Sequence, residues 1–186
     1  MRYISIDPAT KSIAVVILDH NGEKITTEHC SSLKNLDIVF TDTTDLAPGV
    51  KNNSIEELER INLMINYLNK TISPYIRDGD KVIIERQISG TKTYINFITL
   101  CTFFRLKNIE VIPIPATLKN KLSIGGERPD YRKYSDPYTA NKEHSRSMFK
   151  LIKDIFTNSD KIKYIKKYER DLSDCFTQLI AVVTAS

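Results

Sequence analysis

Met1-Arg-Tyr-Ile-Ser-Ile-Asp7-Pro-Ala-Thr-Lys11 opens the chain, and the fold turns on how it is read. Arg2 to Ile6 carries Tyr3, Ile4 and Ile6, β-favouring residues in a short run, and reads as a strand. The run stops at an acid followed by Pro8, which cannot donate to a sheet ladder. A carboxylate at the end of a buried strand is costly unless something pairs with it. Taken alone, Asp7 reads equally well as a turn residue closing the strand. It becomes a functional candidate when further carboxylates reach the same place.

Working outward, Ser12 to Leu18 is a second buried-looking strand. Asn21-Gly22 is a strong hairpin signal, and Lys24 to Cys30 alternates and is expected to return as strand three. Residues 31–53, rich in Ser, Thr, Asp and Asn, read as an irregular connection. Ser54-Ile-Glu-Glu57 is a capping box, and Ile55, Leu58, Ile61, Ile65, Leu68 and Ile72 are expected to form the apolar face of a helix that ends near Pro74. Lys81 to Glu85 is a fourth strand that also ends in a carboxylate. Thr91 to Lys107 reads as a helix with an unusually wide apolar surface. Ile109 to Ile114 is a fifth strand, where Pro113 suggests a sheet edge.

Pro115 to Leu122 can start a short helix, and Ser123 to Thr139 reads as a mobile polar loop. Asn141 to Phe156 is a further helix, and Asn158 to Arg170 is lysine-rich and partly helical. Asp171 to Ala185 closes the chain as a helix with Leu172, Cys175, Phe176, Leu179, Ile180 and Val183 as its buried stripe. This order predicts an α/β fold with a mixed five-stranded sheet, three antiparallel strands then two parallel, and helices on both faces. The 186 residues are expected to form a single domain, with a flexible insertion at about 123–139.

Composition narrows the function classes. Hydrophobic content of 41% and charged content of 27% suit a soluble globular protein. No stretch reaches membrane-spanning length, and the first apolar run is too short for a signal peptide. Three distant cysteines, Cys30, Cys101 and Cys175, fit reduced thiols inside a cell, and no Cys/His zinc spacing is present. The net charge of +4 is unevenly placed: −1 over residues 1–118, +7 over 119–170, and −2 over 171–186. A basic segment just ahead of two acids suggests a polyanionic partner near an acidic centre.

Asp7 and Glu85 end separate strands, and the helix between them allows a right-handed crossover that makes those strands parallel neighbours. Their ends then lie together at the sheet edge where open α/β folds bind ligands. Asp171 and Asp174, at i and i+3, share a helix face. Each acid has an ordinary reading, as a strand end or as helix N-terminal charge. Four together raise one another's pKa, a conflict that hard divalent cations relieve. Two Mg²⁺ ions about 3.5–4 Å apart clamp the attacking and leaving oxygens of a phosphodiester.

Ile-Asp7-Pro-Ala-Thr-Lys, then Val-Ile-Ile-Glu85-Arg-Gln, then Asp171-Leu-Ser-Asp174 resembles, in order and over nearly the whole chain, the RuvC-type Holliday-junction resolvases of the RNase H-like superfamily, most narrowly their poxvirus and large-DNA-virus branch. Actin-like folds open similarly, but this chain is short and has no second glycine-rich phosphate loop. The resemblance implies an enzyme whose metal pair, two Mg²⁺ with Mn²⁺ able to substitute, sits on Asp7, Glu85, Asp171 and Asp174. It implies a homodimer, for which helix 91–107 is the candidate element, that nicks opposing strands of four-way junction DNA and leaves 5′-phosphate and 3′-hydroxyl ends. Ala116-Thr-Leu-Lys119 and Asn141-Lys142-Glu match segments whose lysines approach the DNA backbone and the metals, so Lys142 joins the catalytic set.

Lys11, Arg86, Gln87, Lys119, Lys121 and Lys142 are the expected DNA contacts. Arg128, Tyr131, Arg132, Lys133 and Tyr134 interleave base and aromatic and are further candidates. The bacterial members carry an aromatic residue three positions after the glutamate; here that position is Ile88, with Tyr94 or Phe97 left to substitute. An intracellular setting, the cytoplasm or a viral replication site, follows from the same resemblance. The rival readings are another RNase H-like nuclease, acting on RNA–DNA hybrid or RNA, and a non-catalytic nucleic-acid-binding module.

Overall fold

A computed structural model of the chain describes residues 1–23, 25, 30–51, 54–88, 90–124, 131–134, 136–156 and 158–185. Its centre is a five-stranded sheet. β1 (Arg2–Pro8) lies between β2 (Ser12–His20), to which it is antiparallel, and β4 (Lys81–Glu85), to which it is parallel. β3 (Leu36–Asp45) pairs antiparallel with the outer side of β2, and β5 (Glu110–Ile114) pairs parallel with β4. The spatial order is β3-β2-β1-β4-β5, three antiparallel strands followed by two parallel ones, as the order of elements predicts. Pro113 falls on β5 at the sheet edge, where its missing donor costs no ladder bond.

Strand alternation sorts the side chains into two layers. Ile4, Ile6, Ile13, Val15, Ile17, Val82 and Ile84 face α1 (Glu57–Tyr67) and α2 (Lys92–Leu106). Tyr3, Ala14, Val16, Leu18 and Ile83 face α3 (Pro137–Ile155) and α4 (Glu169–Ala185). Asp7 has the parity of Tyr3, and Glu85 that of Ile83. Both carboxylates therefore belong to the α4 layer, at adjacent strand ends, because Ile6 pairs with Ile84. No helix among the described residues is long and apolar enough to cross a membrane. Cys101 and Cys175 are free thiols.

Three expectations need correction. The third strand is Leu36–Asp45, within the stretch expected to be irregular. Lys24 and residues 26–29 lie outside the described residues, while Ile25 is buried without strand pairing and Cys30 opens a short 3-10 turn. Along β3, Leu36 and Ile38 point inward, but so do Thr41 and Thr43, so the buried face is half polar. Thr41 Oγ1 accepts from Lys163 N at 2.7 Å and Thr43 Oγ1 from Ile165 N at 2.6 Å.

Helix α1 starts at Glu57, with Glu56 as N-cap and no side-chain capping bond, and continues through a π turn and a 3-10 turn holding Pro74. Its core face is Arg60, Met64 and Tyr67, running on into Leu68 and Ile72. Leu58 is exposed, and Ile61 and Ile65 look into a groove against α2. Helix α3 starts at Pro137, four residues before the expected start, because Asp136 caps it by accepting from Thr139 N at 2.8 Å. Of the expected loop 123–139, residues 125–130 and 135 lie outside the described residues.

Candidate active site

The carboxyl ends of β1 and β4 open into a cavity of about 390 Å³. Asp7, Glu85, Asp171 and Asp174 all line it, together with Gln87, Lys119, Tyr138, Asn141 and Lys142. Asp7 and Glu85 reach it from neighbouring strand ends. Asp171 and Asp174 reach it from the first two turns of α4, which packs on β1 and β2; Cys175 Sγ lies 3.2 Å from Ala14 O. Asp174 is fully buried, at 0% exposure.

Two lysines hold these acids together. Lys119, on a 3-10 turn and 8% exposed, places its Nζ 2.8 Å from Glu85 Oε2 and 2.9 Å from Asp174 Oδ2. Lys142, on α3, donates to the same Asp174 oxygen. Among the described residues no three acid, histidine or cysteine side chains stand together as a metal cage. The four acids share one cavity, and the Lys119 ammonium stands between Glu85 and Asp174. Among the described residues Asp174 Oδ1 is left buried with no hydrogen-bond partner.

The electrostatics follow from that arrangement. Burial pushes the Asp7 carboxyl up to about 7, against the opposing pull of Lys142 and Lys119 and with the help of Asp174 and Glu85. Burial also raises Asp171. Asp174 is lowered: its burial is outweighed by Lys119 and Lys142. Lys119 and Lys142 are both raised, since Asp174 and Asp7 overcome the cost of burying an ammonium. The site therefore holds a cationic pair beside one aspartate, Asp174, favoured as the carboxylate, and another, Asp7, whose burial favours its protonated form.

Several residues that sequence reasoning missed position this set. Gln178, fully buried on α4, donates to Glu85 Oε2 at 2.7 Å and faces Ser5 Oγ at 3.4 Å. It lies four residues after Asp174, so helical spacing alone puts it on the acids' face; a glutamine inside a buried stripe was the available signal. Asn96 on α2 donates to Ala9 O at 2.6 Å and fixes the turn after Asp7. His144 Nε2 meets Leu122 O at 2.9 Å and ties the turn carrying Lys119 to the helix carrying Lys142.

The other expected DNA contacts are placed unequally. Gln87 lines the cavity, Arg86 is exposed beside Glu85, and Lys121 lies two residues beyond Lys119 without lining it. Lys11 does not reach the cavity: its side chain is 16% exposed and its Nζ sits 3.1 Å from Asp45 Oδ2 and 3.0 Å from Val50 O. Phe97 is in the core, with Tyr94 half-buried near it, whereas Ile88 is 78% exposed. In the basic-aromatic loop, Arg132, Lys133 and Tyr134 are exposed, and Arg128 lies outside the described residues.

A mixed sheet in this order, with α1 and α2 on one face and α3 and α4 on the other, is the RNase H-like fold in the form carried by RuvC-type junction resolvases. The fowlpox virus resolvase, solved with Holliday junction DNA, superposes over 100% of this chain and 98% of its own, with a TM-score of 0.64 and 16% identity. Thermus thermophilus RuvC superposes over 100% of this chain and 95% of its own, with a TM-score of 0.58 and 8% identity. No protein-family model matches the sequence, and no curated protein matches it. At these identities the likeness is one of fold.

Proposed function

We propose that the chain is a metal-dependent, structure-selective endonuclease that resolves four-way DNA junctions by paired symmetric nicks, the 186 residues acting as one nuclease domain. The observation that carries this reading is the cavity where Asp7, Glu85, Asp171 and Asp174 meet Lys119 and Lys142. It lies in a fold shared end to end with resolvases solved on junction DNA.

The donor set fits divalent metal. All four acids offer hard carboxylate oxygens, and Asp174 Oδ1 is buried with nothing among the described residues to satisfy it. Asp7, Glu85, Asp171 and Asp174 would hold two Mg²⁺ ions, or Mn²⁺ in their place. Such ions, when bound, turn water into a nucleophile and stabilise a leaving 3′-oxygen. Lys119 and Lys142 supply fixed positive charge where a phosphodiester's non-bridging oxygens gain negative charge in the transition state. Gln178 keeps Glu85 oriented, and Asn96 keeps the Asp7 turn in place. Hydrolysis leaves 5′-phosphate and 3′-hydroxyl ends.

Selectivity for a junction comes from shape and from a two-fold pair of sites more than from base contacts. The homodimer is assigned to α2. Ile98 and Leu106 there are 43% and 80% exposed, and with Ile61, Ile65 and Phe103 they line an apolar groove of about 580 Å³. Gln87, Arg86 and Lys121 would meet phosphates around the cavity. Lys11 acts on DNA indirectly, by fixing the β1–β2 turn against Asp45. The likeness to a viral resolvase supports the cytoplasm or a viral replication site as the setting. The test is a nuclease assay in Mg²⁺ and in EDTA on a four-way junction, a linear duplex and an RNA–DNA hybrid. Cutting of the junction in Mg²⁺ alone is expected; preference for the hybrid, or cutting that persists in EDTA, would overturn the proposal.

A further inference from the structure

We propose that residues 158–170 form a fixed basic rail that carries a duplex arm of the nucleic-acid substrate away from the cavity. The proposal rests on the nuclease reading for the identity of the substrate, and on a separate part of the structure for its location. The segment runs beside β3 along that strand's length. Asn158 Nδ2 donates to Ile38 O at 3.1 Å. Both backbone groups of Lys163 bond Thr41 Oγ1, the N–H at 2.7 Å and the carbonyl at 3.0 Å. Ile165 N bonds Thr43 Oγ1 at 2.6 Å, and the Tyr168 hydroxyl donates to Asp45 at 2.9 Å. Ile162 and Tyr164 turn inward onto the core, while Lys161, Lys163, Lys166 and Lys167 are exposed.

A lysine run in solution is commonly only a solvated surface. This one differs in two ways. Its backbone is already ordered by inward threonines, so binding a polyanion through it costs little further chain entropy. It also has a direction. Tyr168 is held at Asp45, the end of β3, where Asp45 pairs with Ser12 at the start of β2, beside the end of β1. Three residues after Tyr168, Asp171 lines the cavity. The rail therefore starts near the cavity, three residues before Asp171, and leads off along β3 at the sheet edge. A duplex with one phosphate in the cavity offers further phosphates along such a line; an acidic protein surface has no reason to extend from a phosphodiester site.

The experiment is a binding titration of a labelled four-way junction and a labelled linear duplex in EDTA, from 50 to 200 mM KCl. It compares the wild type with Lys163→Gln/Lys166→Gln/Lys167→Gln. Each phosphate contact contributes about 0.9 to the slope of log affinity against log salt, so the triple variant is expected to flatten it by about 2–3. The same charge loss at Lys70, Arg77 and Arg105 is expected to leave the slope unchanged. An unaltered slope in the rail variant, an equal loss in the control variant, or no binding of either DNA by the wild type would each overturn the rail. The two readings fail separately. A flattened slope in a protein that cuts no junction keeps the rail and removes the resolvase; junction cutting with an unaltered slope does the reverse.

Discussion

Lys119 sits between Glu85 and Asp174, so a buried ammonium already supplies positive charge where the proposed metal pair would be held. Removing one member of a buried ion pair typically costs about 3–5 kcal/mol, because the remaining charge is uncompensated. Lys119→Met is expected to lower the melting temperature of the metal-free protein, and Mg²⁺ to restore more of that loss than it adds to the wild type. Calorimetric scans in EDTA and in Mg²⁺ check this; equal Mg²⁺ shifts in the two proteins would contradict it. Asp7 behaves oppositely. Its folded pKa of about 7 lies above the unfolded value near 3.9, so the native state binds the extra proton and stability falls as pH rises from about 4 to 7. Asp7→Asn removes that fall and is expected to stabilise the metal-free protein at pH 8 by roughly 1–3 kcal/mol. Urea titrations at pH 5 and pH 8 read it out, and a variant no more stable than wild type at pH 8 would count against the assignment. At this scale the four acids were legible in the sequence, because two end apolar runs and two share a helical spacing. Gln178 was signalled only by its place on the acids' face within a buried stripe, and Asn96 and His144 were not legible, since each acts on a residue distant in the chain.

The strands and helices show the same division. β1, β4, α2 and α4 were legible because their apolar patterns bury against a single neighbouring layer. β3 was hidden because Thr41 and Thr43 face inward and take their partners from residues 163 and 165, about 120 positions later. No local alternation can reveal a polar face that is satisfied so remotely. The face of α1 was misplaced because Arg60 is buried, donating to Ile55 O at 3.0 Å, while Ile61 and Ile65 look outward into the groove. The β3 arrangement gives its own expectation. Thr41→Val removes the partner of a backbone N–H and C=O in the 158–168 segment, at a cost of about 1–3 kcal/mol. Hydrogen exchange at Lys163 and Ile165 is expected to quicken in that variant; unchanged protection would show that the segment is held elsewhere.

For the molecule as a whole, α1 and α2 leave an apolar groove on the face of the sheet opposite α3 and α4, which supply Lys142, Asp171 and Asp174 to the cavity, while Asp7 and Glu85 come from strand ends and Lys119 from a 3-10 turn. If α2 joins two copies, Leu106→Asp is expected to shift the sedimentation coefficient from dimer to monomer without loss of helical signal, and to turn paired nicks into uncoupled single nicks. A monomeric wild type would contradict the dimer assignment. The central claim, that the four acids form one phosphodiester-cutting site acting on junctions, is tested most directly by a four-way junction labelled on each strand in turn. Wild-type protein in Mg²⁺ is expected to nick two opposing strands at symmetric positions, giving duplexes that ligase can seal, while Asp7→Asn binds the same junction and leaves every strand intact. Equal cutting by Asp7→Asn, or no junction cutting by the wild type, would contradict it.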